Sequence, residues 1–394
     1  MPRDLLTKLT ESLANENFIS NSLQFNYNAM KYLRYCLFLL LILIVSTVKA
    51  QDFTLLPFTS THWDFGNSDV KPESYMGKES YRLDGAAIGT KNISLKNGTI
   101  ELDMNFPYGR FFPSILFRVV DVNNGESFYV RPHQTGNPDA TQYTPIFNGY
   151  AGWQLYHGQG HGEAVELTPD TWHHVKINIL NDQADIYFNN METPLIQVTD
   201  LKRDIASGEI GLSSGAPVYF ANVKYSKENP TLTTRTNEPF EAPEGLITDW
   251  KISEVVANEE FWEKPTISTE GLTWTQRPTE YTGTINLAKF SRSSEGKSTV
   301  LAKLDIEAES DMRKQVIFGY SDFVWVFVNG VQIYGGRNDF RSRDYRYLGT
   351  IGWFDSVYLP LEEGDNEVVF VVGENFGGWG IKARIENQSG IRIR

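Results

Sequence analysis

HHVKINILNDQADIYF, residues 173–188, decides the fold class. Val175, Ile177 and Ile179 alternate with Lys176 and Asn178, and Ala184, Ile186 and Phe188 repeat the pattern after Asn181-Asp182. A two-residue apolar period is that of a strand with one face buried, and Asn-Asp between two such runs predicts a tight hairpin turn. His173 shares the apolar parity and is expected inside; His174 is expected to face out. The same period recurs outward from this hairpin, at 99–105 (TIELDMN), 114–120, 127–131, 209–213 and 218–225. No amphipathic helix of about ten residues or more interrupts these runs, so a βαβ architecture is excluded in favour of two packed antiparallel sheets.

The pattern stops at SKENPTLTTRTNEPFEAPEG, 226–245, which has three prolines and no periodicity. It resumes at 246–254, 271–276, 298–307, 315–318, 323–328, 358–361, 366–373 and 380–385. VWVFVNGVQIY (324–334) places Asn329-Gly330 between two apolar runs, the pair a type I′ hairpin turn demands. With 394 residues and no repeat of fixed period, the expectation is an all-β chain of two different antiparallel β-sandwiches (jelly rolls) in tandem. Their expected limits are 51–226 and 246–394, joined by a linker over 227–245.

The N-terminus reads differently. Lys31 and Arg34 precede an apolar run from Cys36 to Val48, and Ala50 follows it, the layout of a secretory signal peptide over 30–50. Residues 1–29 then form a preface that such a signal does not need, read as a mis-annotated or disordered extension with the start at Met30. The run is short for a lasting anchor, so membrane contact is expected only if the signal segment is retained. The only cysteine, Cys36, lies inside it, which removes disulfides, thiol catalysis and Cys-based metal sites from the rest. The net charge is −13. Such an acidic balance excludes a general affinity for nucleic acid or anionic membranes.

The candidate site is the excursion FYVRPHQTGNPDATQYTPIFNGYAGWQLY, 128–156. Trp153, Tyr143, Tyr150 and Tyr156 supply flat apolar faces for sugar C–H groups. Arg131, His133, Gln134, Asn137, Asp139, Asn148 and Gln154 supply partners for hydroxyls. Weak catalytic candidates are His133, His157, Asp139 and Glu163, because imidazole titrates near neutrality and carboxylates serve as its partners. His157, His161 and Glu163 superficially suggest a metal site, but HGQGHGE is too glycine-rich to be helical, and no metal ligands are assigned. In the second β region the candidates are Asp322, Arg337, Arg341, Trp353, Glu374 and Trp379. The Arg/Asp-rich loop 337–346 is either an internal network or a seat for a carboxylate-bearing ligand.

With the strands laid out, the first region resembles the concanavalin/laminin-G-like jelly-roll superfamily. The resemblance rests on 98–101 (GTIE), 171–176 (TWHHVK), 185–189 (DIYFN), 208–212 (GEIGL) and 218–223 (VYFANV). The layout is also that of the 3-keto-disaccharide hydrolase domain. The second region is similar to galactose-binding-like jelly rolls, through 323–330 and 364–367. Retaining glucanases of the first superfamily carry Glu-x-Asp-x-x-Glu; here Glu101 and Asp103 stand in place and Phe106 replaces the third acid. The resemblance implies carbohydrate as partner, no cofactor, and at most a structural Ca²⁺ held by loops such as 121–124 or 137–139. The expectation is an exported (periplasmic, cell-surface or extracellular) carbohydrate-recognising protein. Its alternatives are a glycoside-cleaving enzyme with its site at 131–163 and an adhesive or structural protein without a small ligand.

Overall fold

A computed structural model describes residues 31, 34, 51–68, 70–258, 264–344 and 348–394. The signal segment (Lys31 and Arg34 apart), the 1–29 extension, Cys36 and Arg346 lie outside the described residues. Two units are distinguished, Met1–Asp52 and Phe53–Arg394, and both sandwiches belong to the second. Among the described residues no helix is long and apolar enough to cross a membrane.

The opening hairpin forms as its period requires. His173–Leu180 pairs antiparallel with Gln183–Phe188, with Ile177 opposite Ile186 and Leu180 opposite Gln183. Asn181 takes the left-handed φ of 54° that closes the turn. Gly98–Asn105 lies on the other side of His173–Leu180, followed by Val218–Ser226, Lys78–Leu83 and Lys71–Tyr75. The facing sheet runs Tyr150–Ala151, Thr141–Phe147, Asn124–Val130, Ser114–Asp121, Glu209–Ser214, Ala86–Thr90 and Trp63–Asp64. Between them lie Leu102, Met104, Phe117, Phe128, Ile177, Ile186, Leu212 and Phe220, all buried.

The second sandwich is built alike. One sheet runs Trp274–Pro278, Asp249–Ser253, Thr299–Ala308, Gly364–Gly373, Phe323–Val328 and Val331–Arg337. The other runs Ile285–Asn286, Gly380–Arg384, Met312–Ser321 and Asp355–Leu361. Trp250, Phe318, Val326, Phe370, Trp379 and Ile381 fill the space between. Asn329 and Gly330 adopt φ of 49° and 80°, the type I′ signature. The architecture is all-β, two antiparallel sandwiches in tandem.

The structure corrects the excursion. Thr141–Phe147 is a strand, with Gln142 opposite Tyr129 and Thr144 opposite Ser127, and Tyr150–Ala151 pairs back onto it. Amides, hydroxyls and Pro145 hide its alternation, yet its backbone groups find a ladder and its polar side chains find internal partners. The 227–245 segment is extended, and its first part is bonded to the first sandwich. Thr233 N donates to Asp185 Oδ2 (2.7 Å), Arg235 pairs with Asp185, and Thr236 N donates to Gln197 Oε1 (3.0 Å).

Candidate functional site

After Tyr150–Ala151 the chain makes a single tight turn: Leu155 and Tyr156 both donate to the Gly152 carbonyl at 3.0 Å. This pushes Trp153 and Gln154 out of the first sandwich and against the second. Gln154 is fully buried there. Its Nε2 donates to Leu348 O (2.7 Å), and its Oε1 accepts from Ser321 Oγ (2.9 Å). Its backbone N–H donates to Gly377 O and its carbonyl accepts from Ile351 N, both at 2.9 Å. Two neighbours fasten the same seam: Asn148 Nδ2 donates to Ala288 O (2.8 Å) and Tyr156 OH to Glu280 Oε1 (2.5 Å). The buried Lys202 ammonium meets Glu280 from the first sandwich at 3.0 Å.

Behind Gln154 lie two buried carboxyls. Asp322 Oδ2 accepts from the backbone N–H of Asn375 (2.8 Å) and Phe376 (2.6 Å), and Ser321 Oγ bridges Asp322 Oδ1 (3.2 Å) to Gln154. Glu374 Oε1 accepts from Gly378 N at 3.3 Å, while its Oε2 is buried with no partner among the described residues. Burial pushes the Asp322 carboxyl up to about 7. Glu374 is raised well above the usual range, first by burial and then by the charge of Asp322. Two such groups side by side cannot both ionise, so the pair keeps a proton near neutrality.

In front of the pair is a rim of rings and guanidinium groups drawn from both sandwiches. Trp153 meets Phe376 edge-on at 5.9 Å, and Phe376 meets Phe340 at 6.5 Å. Arg131 lies over Trp153 (5.6 Å) and Tyr129 (4.9 Å); Arg110 and Arg341 lie over Phe340 (5.5 and 4.9 Å). Phe376 is 53% exposed, and Trp153 and Phe340 are half-buried. Phe112 meets Tyr129 at 5.7 Å and His133 at 6.1 Å, which extends the rim along the first sandwich.

The seam thus brings together Arg131, His133, Trp153, Gln154, Asp322, Glu374 and Arg341. Phe340 and Arg110 were missed; Ser321 stands in the 320–322 stretch that could form a site rim, and Phe376 sits among the glycines of 373–380, a candidate ligand edge. Tyr143 and Trp379 are corrected from ligand surfaces to core. Tyr143 is fully enclosed with its OH on Glu126 Oε2 (2.9 Å), and Trp379 Nε1 donates to Val372 O (3.1 Å). Gln154, Asn148 and Tyr156 spend their polar groups on the seam itself.

The other candidates fall elsewhere. Asn137 Nδ2 donates to Gln134 Oε1 (2.8 Å) on an exposed turn, and Arg131 Nη1 bonds the carbonyl of Asp139 (2.6 Å) rather than its carboxylate. Arg337 pairs with Asp339 (3.1 Å), and Trp353 lies under Lys382 (4.5 Å). His157 Nε2 bonds Ile351 O (3.0 Å). Glu163 lines a polar cleft of about 340 Å³ with Gln197, Thr233 and Asn237. His161 lies between the rings of Tyr143 (5.9 Å) and Tyr156 (5.7 Å), and burial pushes its imidazole down to about 4. Among the described residues no group of three or more His, Cys, Asp or Glu is placed to hold a metal ion. The 121–124 loop, a candidate for Ca²⁺, closes on itself, with Asp121 Oδ1 accepting from Asn123 N (2.7 Å).

The Glu-x-Asp strand faces outward, as its parity requires. There His174 bridges the two acids, with Nδ1 to Asp103 Oδ1 at 2.6 Å and Nε2 to Glu101 Oε1 at 2.9 Å. Lys78 and Lys224 complete the network at 2.7 and 2.8 Å. Hydrogen bonds to the two carboxylates raise His174 to about 9. Burial opposes ionisation of Asp103 and Glu101, yet the hydrogen bonds from His174 and the lysines hold both below their usual range. Both carboxyls are therefore held in their ionised form, and this pair offers no protonated carboxyl of the kind the two-carboxyl route of glycoside cleavage uses.

No family model matches the chain, and no curated protein matches it. Among solved structures it is similar to the carbohydrate binding module CBM66 from Bacillus subtilis, at 22% identity and TM-score 0.34, over 42% of this chain and 96% of that one. It is also similar to the Bacillus licheniformis beta-glucanase, at 13% identity and TM-score 0.32, over 46% and 100%. A third is a Bacillus subtilis protein of unknown function with a galectin-like fold, at 10% identity and TM-score 0.32, over 42% and 89%. Each likeness spans less than half of this chain, and the sandwich assignment rests on the chain's own strand pairings.

Proposed function

We propose that this is an exported carbohydrate-recognising protein, accessory to polysaccharide use, whose ligand lies along the seam between its two sandwiches. The observation that carries this reading is the half-open chain of rings Trp153, Phe376 and Phe340, drawn from both sandwiches and flanked by guanidinium groups. Flat apolar faces with convergent polar groups are what a sugar ring, apolar on its C–H face and polar at its edge, requires. The resemblance of the first sandwich to concanavalin/laminin-G-like jelly rolls, and of the second to galactose-binding-like ones, is part of the same reading. The acidic net charge disfavours nucleic acid as partner.

A glycan array and a hydrolysis screen on one panel test it. Binding without turnover, weakened by Trp153→Ala and by Phe376→Ala in a protein that unfolds at an unchanged temperature, is the expected result. Binding that neither substitution alters refutes the seam as its location.

One arrangement favours glycoside cleavage as a second reading: the buried pair of carboxyls Asp322 and Glu374, whose protonated forms burial favours. Cleavage needs one neutral carboxyl to protonate the leaving oxygen and one ionised carboxylate opposite it. Turnover that Asp322→Asn abolishes, with binding retained, would replace the first reading by this one.

A further inference from the structure

The rim gathers Arg110, Arg131 and Arg341 in a protein that is acidic as a whole. With a net charge of −13, carboxylates are abundant, and the neighbouring Arg337 and Arg343 are paired with Asp339 and Asp355. No ion pair among the described residues uses Arg110, Arg131 or Arg341, although all three sit over rings of the rim. A guanidinium stacked on a ring has its face covered and its N–H edge free, and that fork matches a carboxylate in two parallel hydrogen bonds. Beside Arg110 and Arg131 lies His133, whose buried Nδ1 has no partner among the described residues. Asp139, the acid beside Arg131 and His133, gives Arg131 its carbonyl rather than its carboxylate, and Asp322 is committed to backbone N–H groups.

We infer that the saccharide taken by this seam is acidic, a uronic-acid-containing glycan whose carboxylate is received by Arg110 and Arg341 while its ring lies against Trp153 and Phe376. The inference rests on the carbohydrate reading above and adds the class of sugar. Arg131 is the less accessible member, already bonded to Tyr129 OH (2.9 Å) and to the Asp139 carbonyl, so it orients Trp153 and adds charge behind it. A carboxylate presents two oxygens that one guanidinium edge meets in parallel hydrogen bonds, and a sulfated sugar tests the other anion.

The test is calorimetric titration of the full chain with uronate oligosaccharides of several backbones. Each is compared with its carboxyl-reduced counterpart, in which the acid has become a primary alcohol, and with a sulfated neutral oligosaccharide. At least one uronate is expected to bind about tenfold or more tighter than its reduced form, the loss corresponding to one charge-assisted contact. Arg110→Gln with Arg341→Gln should erase that preference while leaving the unfolding temperature in place. Equal binding of acid and reduced forms, a preference that survives the double substitution, or selection of the sulfated sugar each overturns the uronate assignment and leaves carbohydrate recognition standing. Failure of every saccharide, charged or neutral, refutes the carbohydrate reading itself.

Discussion

Replacing Asp322 by Asn tests the electrostatics of the seam directly. The gap between the ordinary 3.8 and the buried value of about 7, at about 1.4 kcal/mol per pH unit, amounts to about 4 kcal/mol. The sign follows from proton counting. Below about pH 4 both folded and unfolded chains hold this proton, and its contribution is fully present. Between about 4 and 7 the folded chain keeps a proton that the unfolded chain releases, so stability falls as pH rises, and above about 7 the contribution is gone. The amide introduced by Asp322→Asn is neutral throughout, and its oxygen still accepts from Asn375 and Phe376. Urea unfolding of both proteins at pH 5, 6, 7 and 8 reads the contribution of Asp322 together with its effect on Glu374. Glu126, also raised to about 7 by burial, and His161, pushed down to about 4, act alike in the two proteins and cancel in the difference. Between pH 5 and 8 the parent should lose about 3 kcal/mol more than Asp322→Asn. Parallel profiles, within about 0.5 kcal/mol, would refute the claim that Asp322 is held protonated by burial.

Gln154→Ala should destabilise by about 2–4 kcal/mol in urea, since it leaves the Leu348 carbonyl and Ser321 hydroxyl unpaired in a closed seam. A change below about 0.5 kcal/mol would mean the seam relaxes around the loss. Asn329→Ala should cost about 1 kcal/mol by the same assay, because alanine resists the φ of 49° in the turn. Raised as it is to about 9, His174 adds stability below about pH 6.5 that is lost as pH climbs through 9. His174→Gln should therefore flatten the alkaline limb of the stability profile, and an unchanged limb would show the Glu101–His174–Asp103 bridge to be inert. Trp153→Phe should keep most saccharide affinity where Trp153→Ala loses about tenfold; equal loss in both would argue that the indole acts through Arg131 packing instead.

Alternation along the chain was enough to place the sides of the strands. At 173–188 every second side chain faces one way, so Val175, Ile177 and Ile179 had to be inside and Lys176 outside whatever they met. Asn329-Gly330 likewise fixed its own turn, because left-handed φ values are a local preference. The strand at 141–147 was illegible for the same reason, since its inward residues include polar ones whose partners come from other strands. Trp153 was visible as an indole near amides and Phe376 as a ring among glycines, but Phe340 had no local pattern to mark it.

Which of those groups share a site depended on contacts between segments far apart in the chain. Gln154 and Ser321 meet across 167 residues of sequence, and Asp322 becomes a proton-holding acid because that meeting removes water from around it. Side-chain direction along a strand follows from backbone geometry within two residues, whereas a carboxyl's charge state follows from everything packed around it, and nothing in the local sequence records that environment.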